Sequence, residues 1–283
     1  MRKLADNTVC FSPSELKVSD QCLRQYYYKY IKKLYPVTDM STGLLVGRVM
    51  HSAIEKLFLN DETVTPDYLG IIKDCIQDIK DEGRNRWTDA TLPIPEAVFA
   101  TRLVPLLHAI TSNIDRSTIL GVEEKLQTKL DNYHSLMGYL DIRYQGHDGK
   151  TKIADFKFGK VAKSENDILS FWYQFVGYKL MVESMFGEDA DVAMLTGSIS
   201  FAAKPRSPYT YKVIPVELNY KLFTQELKDR ANALTEHIIN GGGRENLIEH
   251  YPPTGRSGGI CGYCDYLSTC SGMQTENQLM GLL

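Results

Sequence analysis

The chain has 283 residues, enough to bury a sizeable core, and its 43% hydrophobic and 24% charged content is that of an ordinary soluble globular protein. A formal net charge of −3 excludes bulk attraction to nucleic acid, so any contact with DNA has to come from local basic patches. No apolar run approaches the roughly 20 residues of a membrane span and the N-terminus has no secretory signal pattern, so no membrane role is expected. The expected setting is cytoplasmic (host cytoplasm for a viral chain), where the six cysteines stay reduced.

Ser12-Pro13-Ser14-Glu15 predicts a helix start, with Ser12 at the N-cap, Pro13 at the first helical position and Glu15 closing a capping box. A second helix is predicted through Cys22 and Tyr26-Tyr27-Tyr28 to about Leu34, ended by Pro36. A third, over Gly43 to Phe58, places Leu45, Val49, Ile54, Leu57 and Phe58 at apolar positions. The helical pattern continues from Pro66 to Asp115, interrupted at Gly83 and at Pro93 to Pro95. The character changes near Ile119, where strands are predicted over Ile119–Leu130, Leu136–Tyr144, Lys152–Phe158, Val192–Ala202 and Tyr209–Val216. His147-Asp148-Gly149 is a hairpin signal between the second and third of these. One helix, Asn166 to Met185, stopped by Gly187, interrupts the strands, and a last helix runs from about Leu222 to Asn240. Without repeats or a clean linker, the expectation is a single α/β domain over residues 1–283, with a central mixed sheet flanked by helices. Its parts are a mainly helical region at 1–118, a sheet core at 119–218, and a C-terminal helix with a cysteine-rich tail at 219–283.

Residues two apart in a strand share a face, so Asp155 and Lys157 point the same way. A hairpin loop with an odd number of residues centred on Asp148 puts Asp141 directly across from Asp155, whereas an even loop puts it opposite Phe156. Two carboxylates and an ammonium on one face suit a hard divalent cation, Mg²⁺ or Mn²⁺, which prefers carboxylate, carbonyl and water oxygens. The alternative for the same residues is an ordinary set of cross-strand salt bridges. Glu123 and Glu124 end an apolar run, and alternation sends one of them to each strand face. Gln174 and Tyr178 are i, i+4 neighbours that can hydrogen-bond a phosphate or Lys157, or form a polar stripe on a packed helix.

Taken in order, Gly47-x-x-x-His51, Gly138-Tyr-Leu-Asp141, Asp155-Phe-Lys157 and Gln174-x-x-x-Tyr178 resemble the PD-(D/E)xK nuclease superfamily in its RecB-like branch. The resemblance implies a restriction-endonuclease-like core in which Asp141 and Asp155 bind metal, Lys157 assists hydrolysis and His51 adds a ligand. It selects Glu123 over Glu124 as a further ligand, with Leu126 the apolar residue three positions on, and it adds Gln174 and Tyr178 to the catalytic set. Position 155 is Asp where the family more often has Glu, a shorter arm for the same chemistry.

Cys261-x₂-Cys264-x₅-Cys270 offers three thiolates from one compact loop, one short of a tetrahedral or cubane site. Cys22 is the best fourth candidate; Cys10 lies in a strand or loop, and Cys75 sits among isoleucines where a buried thiol is expected. Zinc and an iron–sulfur cluster are both open on these residues. One distant cysteine with a C-terminal trio resembles the clasp of AddB-type nucleases and of the CRISPR spacer-acquisition nuclease, which implies a [4Fe–4S] cluster tying the N- and C-terminal regions together.

Lys157, Lys160 and Lys163 follow the acidic strand, and Lys204, Arg206, Tyr209, Tyr211 and Lys212 form an aromatic–basic segment. Arg24, Lys29, Lys32 and Lys33 share a helix with Tyr26, Tyr27 and Tyr28. Such residues can track phosphates and stack unpaired bases. The expected function is a metal-dependent DNA exonuclease preferring single strands or ends, with single-strand endonuclease activity as its neighbour. Its expected partners are nuclease or helicase subunits, recombination or CRISPR-adaptation proteins, or further copies of the chain. A non-cleaving DNA-end-binding scaffold and a zinc-stabilised interaction module are the competing expectations.

Overall fold

A computed structural model of the chain describes residues 2–3, 8–36, 38–59, 66–88, 91–202, 204–240, 248, 251–253, 261 and 264–270. It falls into two compact units, one formed by residues 1–36, 127–137 and 220–283 and the other by 37–126 and 138–219.

The first unit begins with strands β1 (Arg2–Lys3) and β2 (Val9–Phe11), followed by helices α1 (Pro13–Gln21) and α2 (Leu23–Tyr26). The α1 start is the predicted one: Ser12 Oγ accepts from the Glu15 N–H at 3.1 Å and the Glu15 carboxylate accepts from the Ser12 N–H at 3.4 Å. The next helix differs from expectation. It is α-helical only to Tyr26, then widens into a π-helical turn over Tyr27–Ile31. That turn buries Tyr27 and Tyr28, which stack on Tyr251 and Tyr266. β2 runs parallel to the first residues of β6 (His134–Gln145), with Val9 opposite His134 and Phe11 opposite Leu136. The long helix α7 (Tyr220–Asn240) completes this unit; His134 Nε2 and Thr235 Oγ1 lie 3.0 Å apart, tying it to β6.

The second unit is a mixed sheet with helices on both faces. Here β6 is antiparallel to β7 (Thr151–Gly159), β7 is parallel to β8 (Ala190–Ile199), and β8 is antiparallel to β9 (Tyr209–Pro215). β5 (Ile119–Lys129) pairs with β6. The five strands lie close to their predicted spans. A two-stranded parallel pair, β3 (Thr38–Asp39) with β4 (Asn85–Arg86), falls where the sequence offers too short a pattern to predict it. One sheet face carries α3 (Thr42–Leu59), α4 (Tyr68–Asp81) and α5 (Glu96–Thr111). Their apolar stripes close a core with Ile142, Ala154, Phe156 and Leu195. Cys75 is buried in that core, as expected of a structural thiol. The predicted helix over Asn166 to Met185 splits at Phe171 into a 3₁₀ segment, Glu165–Ser170, and α6 (Trp172–Phe186), which Gly187 caps in the left-handed conformation at φ 67°. α6 packs on β7 and β8. β7 is therefore buried along most of its length, and a charged side chain on it has to find a partner within the protein.

Candidate active site

The hairpin between β6 and β7 pairs Gln145 with Thr151 and Ile142 with Ala154, and its loop is centred on Asp148. This is the odd-loop register, and it brings Asp141 and Asp155 level just beyond the last paired residues. There the two strands part. The Phe156 N–H donates to Asp141 Oδ2 at 2.6 Å, and the Phe156 carbonyl lies 3.0 Å from His51 Nε2. Both main-chain groups of Phe156 are thus satisfied by side chains of the site instead of a sheet ladder.

The contact with Phe156 fixes the His51 tautomer. A carbonyl only accepts, so Nε2 carries a proton and Nδ1 is the nitrogen turned toward the acids. Nδ1 faces Asp141 Oδ2 at 3.8 Å. Gly47, one turn earlier on α3, has no side chain because a Cβ there would lie 3.2 Å from the Phe158 carbonyl. The glycine makes room for the backbone of β7, which sets the height at which α3 delivers His51.

Glu123 joins these two residues: single ligand atoms of His51, Glu123 and Asp141 lie within 4.8 Å of one another. Its backbone adopts φ 47°, rare for any residue but glycine. This corrects the expectation that strand alternation sends Glu123 and Glu124 to opposite faces. Asp141 and Arg143 share one face of β6; Glu123 reaches Asp141, while Glu124 accepts from Arg143 Nε at 3.2 Å. The left-handed residue interrupts the alternation, which is regular from Lys125 to Lys129 and absent from Gly121 to Glu124.

Asp155 is 1% exposed and lies beside that trio without belonging to it. Lys157 Nζ makes an ion pair with its Oδ2 and sits 5.0 Å from the centre of the Phe171 ring. Among the described residues, Asp155 Oδ1 accepts no hydrogen bond, and the partner of Oδ2 is the Lys157 ammonium. Burial, then the charge of Asp155, pushes the Asp141 carboxyl up to about 6. Burial, then Asp141, Glu55 and Asp155, pushes Glu123 up to about 7. The Tyr178 hydroxyl is held well above the ordinary tyrosine range by burial and by Asp155 and Asp141, and it accepts from Gln174 Nε2 at 3.4 Å. Gln174 and Tyr178 therefore stand at the site as an oriented pair. Carboxylates whose protonation is made easier by their own repulsion, with an imidazole among them, form a donor set that fits a divalent cation.

The basic and aromatic residues are distributed differently from expectation. Lys160, Lys204, Arg206 and Lys212 are exposed. Tyr26, Tyr27 and Tyr28 are buried, and Tyr209 and Tyr211 pack against the core. Burial pushes the Tyr211 hydroxyl up to about 12. Tyr26, Tyr27 and Tyr28 are thus taken up by packing, while Tyr209 and Tyr211 keep part of their surface open. The aromatic residue that is exposed near the acids is Tyr139, 57% accessible and two residues before Asp141 on the same strand face. Among the cysteines, Cys264 is raised by burial and by the neighbouring Cys22 and Cys261, and Cys270 acts on Tyr28. The four thiols are thus gathered in one region of the first unit, none in a disulfide.

A model of the PD-(D/E)XK nuclease superfamily matches residues 10–271 of the chain. Among solved structures, a provisionally named exonuclease from Eubacterium rectale is similar at 15% identity and a TM-score of 0.48, with 89% of each chain covered. The protein SSO0001 is similar at 12% identity and a TM-score of 0.36, with 94% of this chain and 86% of that one covered. No curated protein matches the chain. Among the described residues, no helix is long and apolar enough to cross a membrane.

Proposed function

We propose that this chain, which belongs to the PD-(D/E)XK nuclease superfamily, is a DNA nuclease that uses Mg²⁺ or Mn²⁺ and acts as an exonuclease preferring single strands. One observation carries the reading: the parting of β6 and β7 gathers ligand atoms of Asp141, Glu123 and His51 within 4.8 Å, beside a buried Asp155 carboxylate paired with Lys157. The donors suit such an ion, with the imidazole favouring Mn²⁺. Bound there, the ion supplies Lewis acidity toward a phosphodiester and makes water more acidic.

The chain's own residues have distinct tasks. His51, Glu123, Asp141 and Asp155 hold the ion. Lys157, kept beside Asp155 and the Phe171 ring, stabilises negative charge developing on the phosphoryl oxygens and orients the attacking water. The Tyr178 hydroxyl stays protonated at any working pH and has its proton free to donate to Asp155 or a phosphate oxygen, since its oxygen is engaged by Gln174. Exposed Lys160, Lys204 and Arg206 track the phosphate backbone. The open face of Tyr139 next to Asp141 supports single strands as substrate, since an unpaired base can stack on it and a paired one cannot. An intact acid–lysine set at a buried position argues against a non-cleaving scaffold. The gathered thiols of Cys22, Cys261, Cys264 and Cys270 support a [4Fe–4S] cluster in the first unit, and the RecB-like branch with it.

Cleavage of end-labelled single-stranded, double-stranded and circular single-stranded DNA with Mn²⁺ tests the proposal. Wild type should degrade linear single strands fastest and spare circles, while Asp155→Ala and Lys157→Ala should lose at least about a hundredfold in rate. Equal rates in all three proteins would overturn the site, and rapid nicking of circles would replace the exonuclease with an endonuclease.

A further inference from the structure

Glu123 occupies a left-handed backbone conformation that is strained for a residue with a side chain, and it persists only if its surroundings impose it. The neighbouring residue is held by a distant partner. The Glu124 carboxylate is bound by Arg143 through Nε at 3.2 Å and Nη2 at 3.4 Å. Arg143 is itself enclosed: its side chain is 7% exposed, its guanidinium lies 3.7 Å from the centre of the Phe186 ring, and Nη1 is 3.6 Å from Glu188 Oε2. Glu188 is fixed in turn by the Thr151 hydroxyl, which donates to it at 2.6 Å. The seat of Glu124 has a steric requirement as well. A Cβ at residue 121 would fall 2.5 Å from Glu124 Oε2, so Gly121 leaves the carboxylate its space.

A regular strand cannot send two consecutive side chains to one face of its neighbour. Here Glu124 is pinned to Arg143 and Glu123 still reaches Asp141, two residues away on that same face of β6. The left-handed turn at Glu123 reconciles the two, as an irregular residue in a strand re-aims a side chain. We propose that Arg143 and Glu124 are a positioning pair that locks β5 in the conformation presenting Glu123 to the metal site, and so set divalent-metal affinity without touching the ion. This rests on the metal-site reading above. Arg143 is buried and the pair is doubly bonded, so losing either partner frees β5 to relax to ordinary strand geometry and swing Glu123 away.

Mn²⁺ binding to the purified full chain, followed by the loss of the free-ion paramagnetic resonance signal, reads this directly and needs no DNA. Arg143→Met and Glu124→Gln should each weaken Mn²⁺ binding about 10–100-fold, the range for residues that orient metal ligands, and Arg143→Lys should fall between them and wild type. In a Glu123→Gln background the Arg143→Met change should have little further effect, because its influence passes through the Glu123 carboxylate. A merely structural role would lower affinity equally in both backgrounds, and that result overturns the pair, as would wild-type affinity in Arg143→Met and Glu124→Gln. Should Arg143→Met fail to fold, Glu124→Gln carries the same comparison. Asp141→Asn separates the two levels: if it abolishes Mn²⁺ binding while the pair variants bind as wild type, the positioning proposal alone falls. Unchanged binding in Asp141→Asn removes the metal site and the proposal together.

Discussion

Asp141 gives up water to enter the site and finds Asp155 already there, so the folded protein raises its pKa to about 6, and burial beside Asp141, Glu55 and Asp155 raises that of Glu123 to about 7. Both are acids raised above their unfolded values. They add no penalty at low pH, where they are protonated in either state, and an increasing one as pH climbs to about 6 for Asp141 and about 7 for Glu123. The metal-free protein should therefore gain stability from Asp141→Asn at pH 8, by about 1–3 kcal/mol, and gain less at pH 4.5. Urea unfolding in chelator at the two pH values measures this, and an Asn variant less stable than wild type at pH 8 would contradict it. The same groups must lose their protons to hold an ion, so Mn²⁺ affinity should rise steeply between about pH 6 and 7 and flatten near pH 8. Calorimetric titration across that range tests the slope. At this scale Asp141, Asp155 and Lys157 were legible in the sequence because alternation and an odd loop determine where they point. The rule fails at Glu123, where a long-range bond from Arg143 to its neighbour overrides the local pattern, and nothing in the sequence near residue 123 signals a φ of 47°.

The hairpin β6–β7 and the helix α3 make the site together, and their contact turns on Gly47. Its neighbour is the Phe158 carbonyl, main chain of a strand pinned against β8 through its whole length, so the strand cannot yield. Gly47→Val should push α3 outward, break the His51 contact with Phe156 and weaken Mn²⁺ binding at least about tenfold, even though helix propensity alone would favour the change. Circular dichroism should show the helices retained; unchanged Mn²⁺ affinity would mean that α3 adjusts without moving His51. The helix itself was readable from its apolar spacing, as were the five long strands, since each has a full run of periodic residues. The elements that escaped are those held by distant partners. The π-helical turn at Tyr27–Ile31 belongs with the packing of Tyr27 and Tyr28 on Tyr251 and Tyr266, more than two hundred residues away. A reading along the chain has no access to such contacts.

Each compact unit is assembled from segments remote in sequence, and the first depends on this most, joining residues 1–36 to 127–137 and 220–283. Among the described residues, β2 meets β6 over three residue pairs, and Arg24 reaches the Tyr251 carbonyl at 2.5 Å. Local periodicity could not reveal this gathering, whereas the spacing of Cys261, Cys264 and Cys270 pointed to a shared site. The proposed cluster on Cys22, Cys261, Cys264 and Cys270 would close a loop of more than two hundred residues. In the unfolded state that closure removes chain entropy worth on the order of 5 kcal/mol, an upper bound since denatured chains keep some structure. All four ligands belong to the first unit, so the stabilisation should be local. Cys264→Ser should lose the absorption shoulder near about 400 nm expected of an iron–sulfur protein. Its amides in α1 and α7 should exchange with solvent at least about tenfold faster, while those of β7 and β8 keep their protection. Hydrogen exchange with mass spectrometry resolves the two sets. A colourless wild-type protein containing zinc would replace the cluster with a zinc site and leave the exchange pattern standing. Equal loss of protection in β7 and β8 would mean instead that the two units unfold as one cooperative whole.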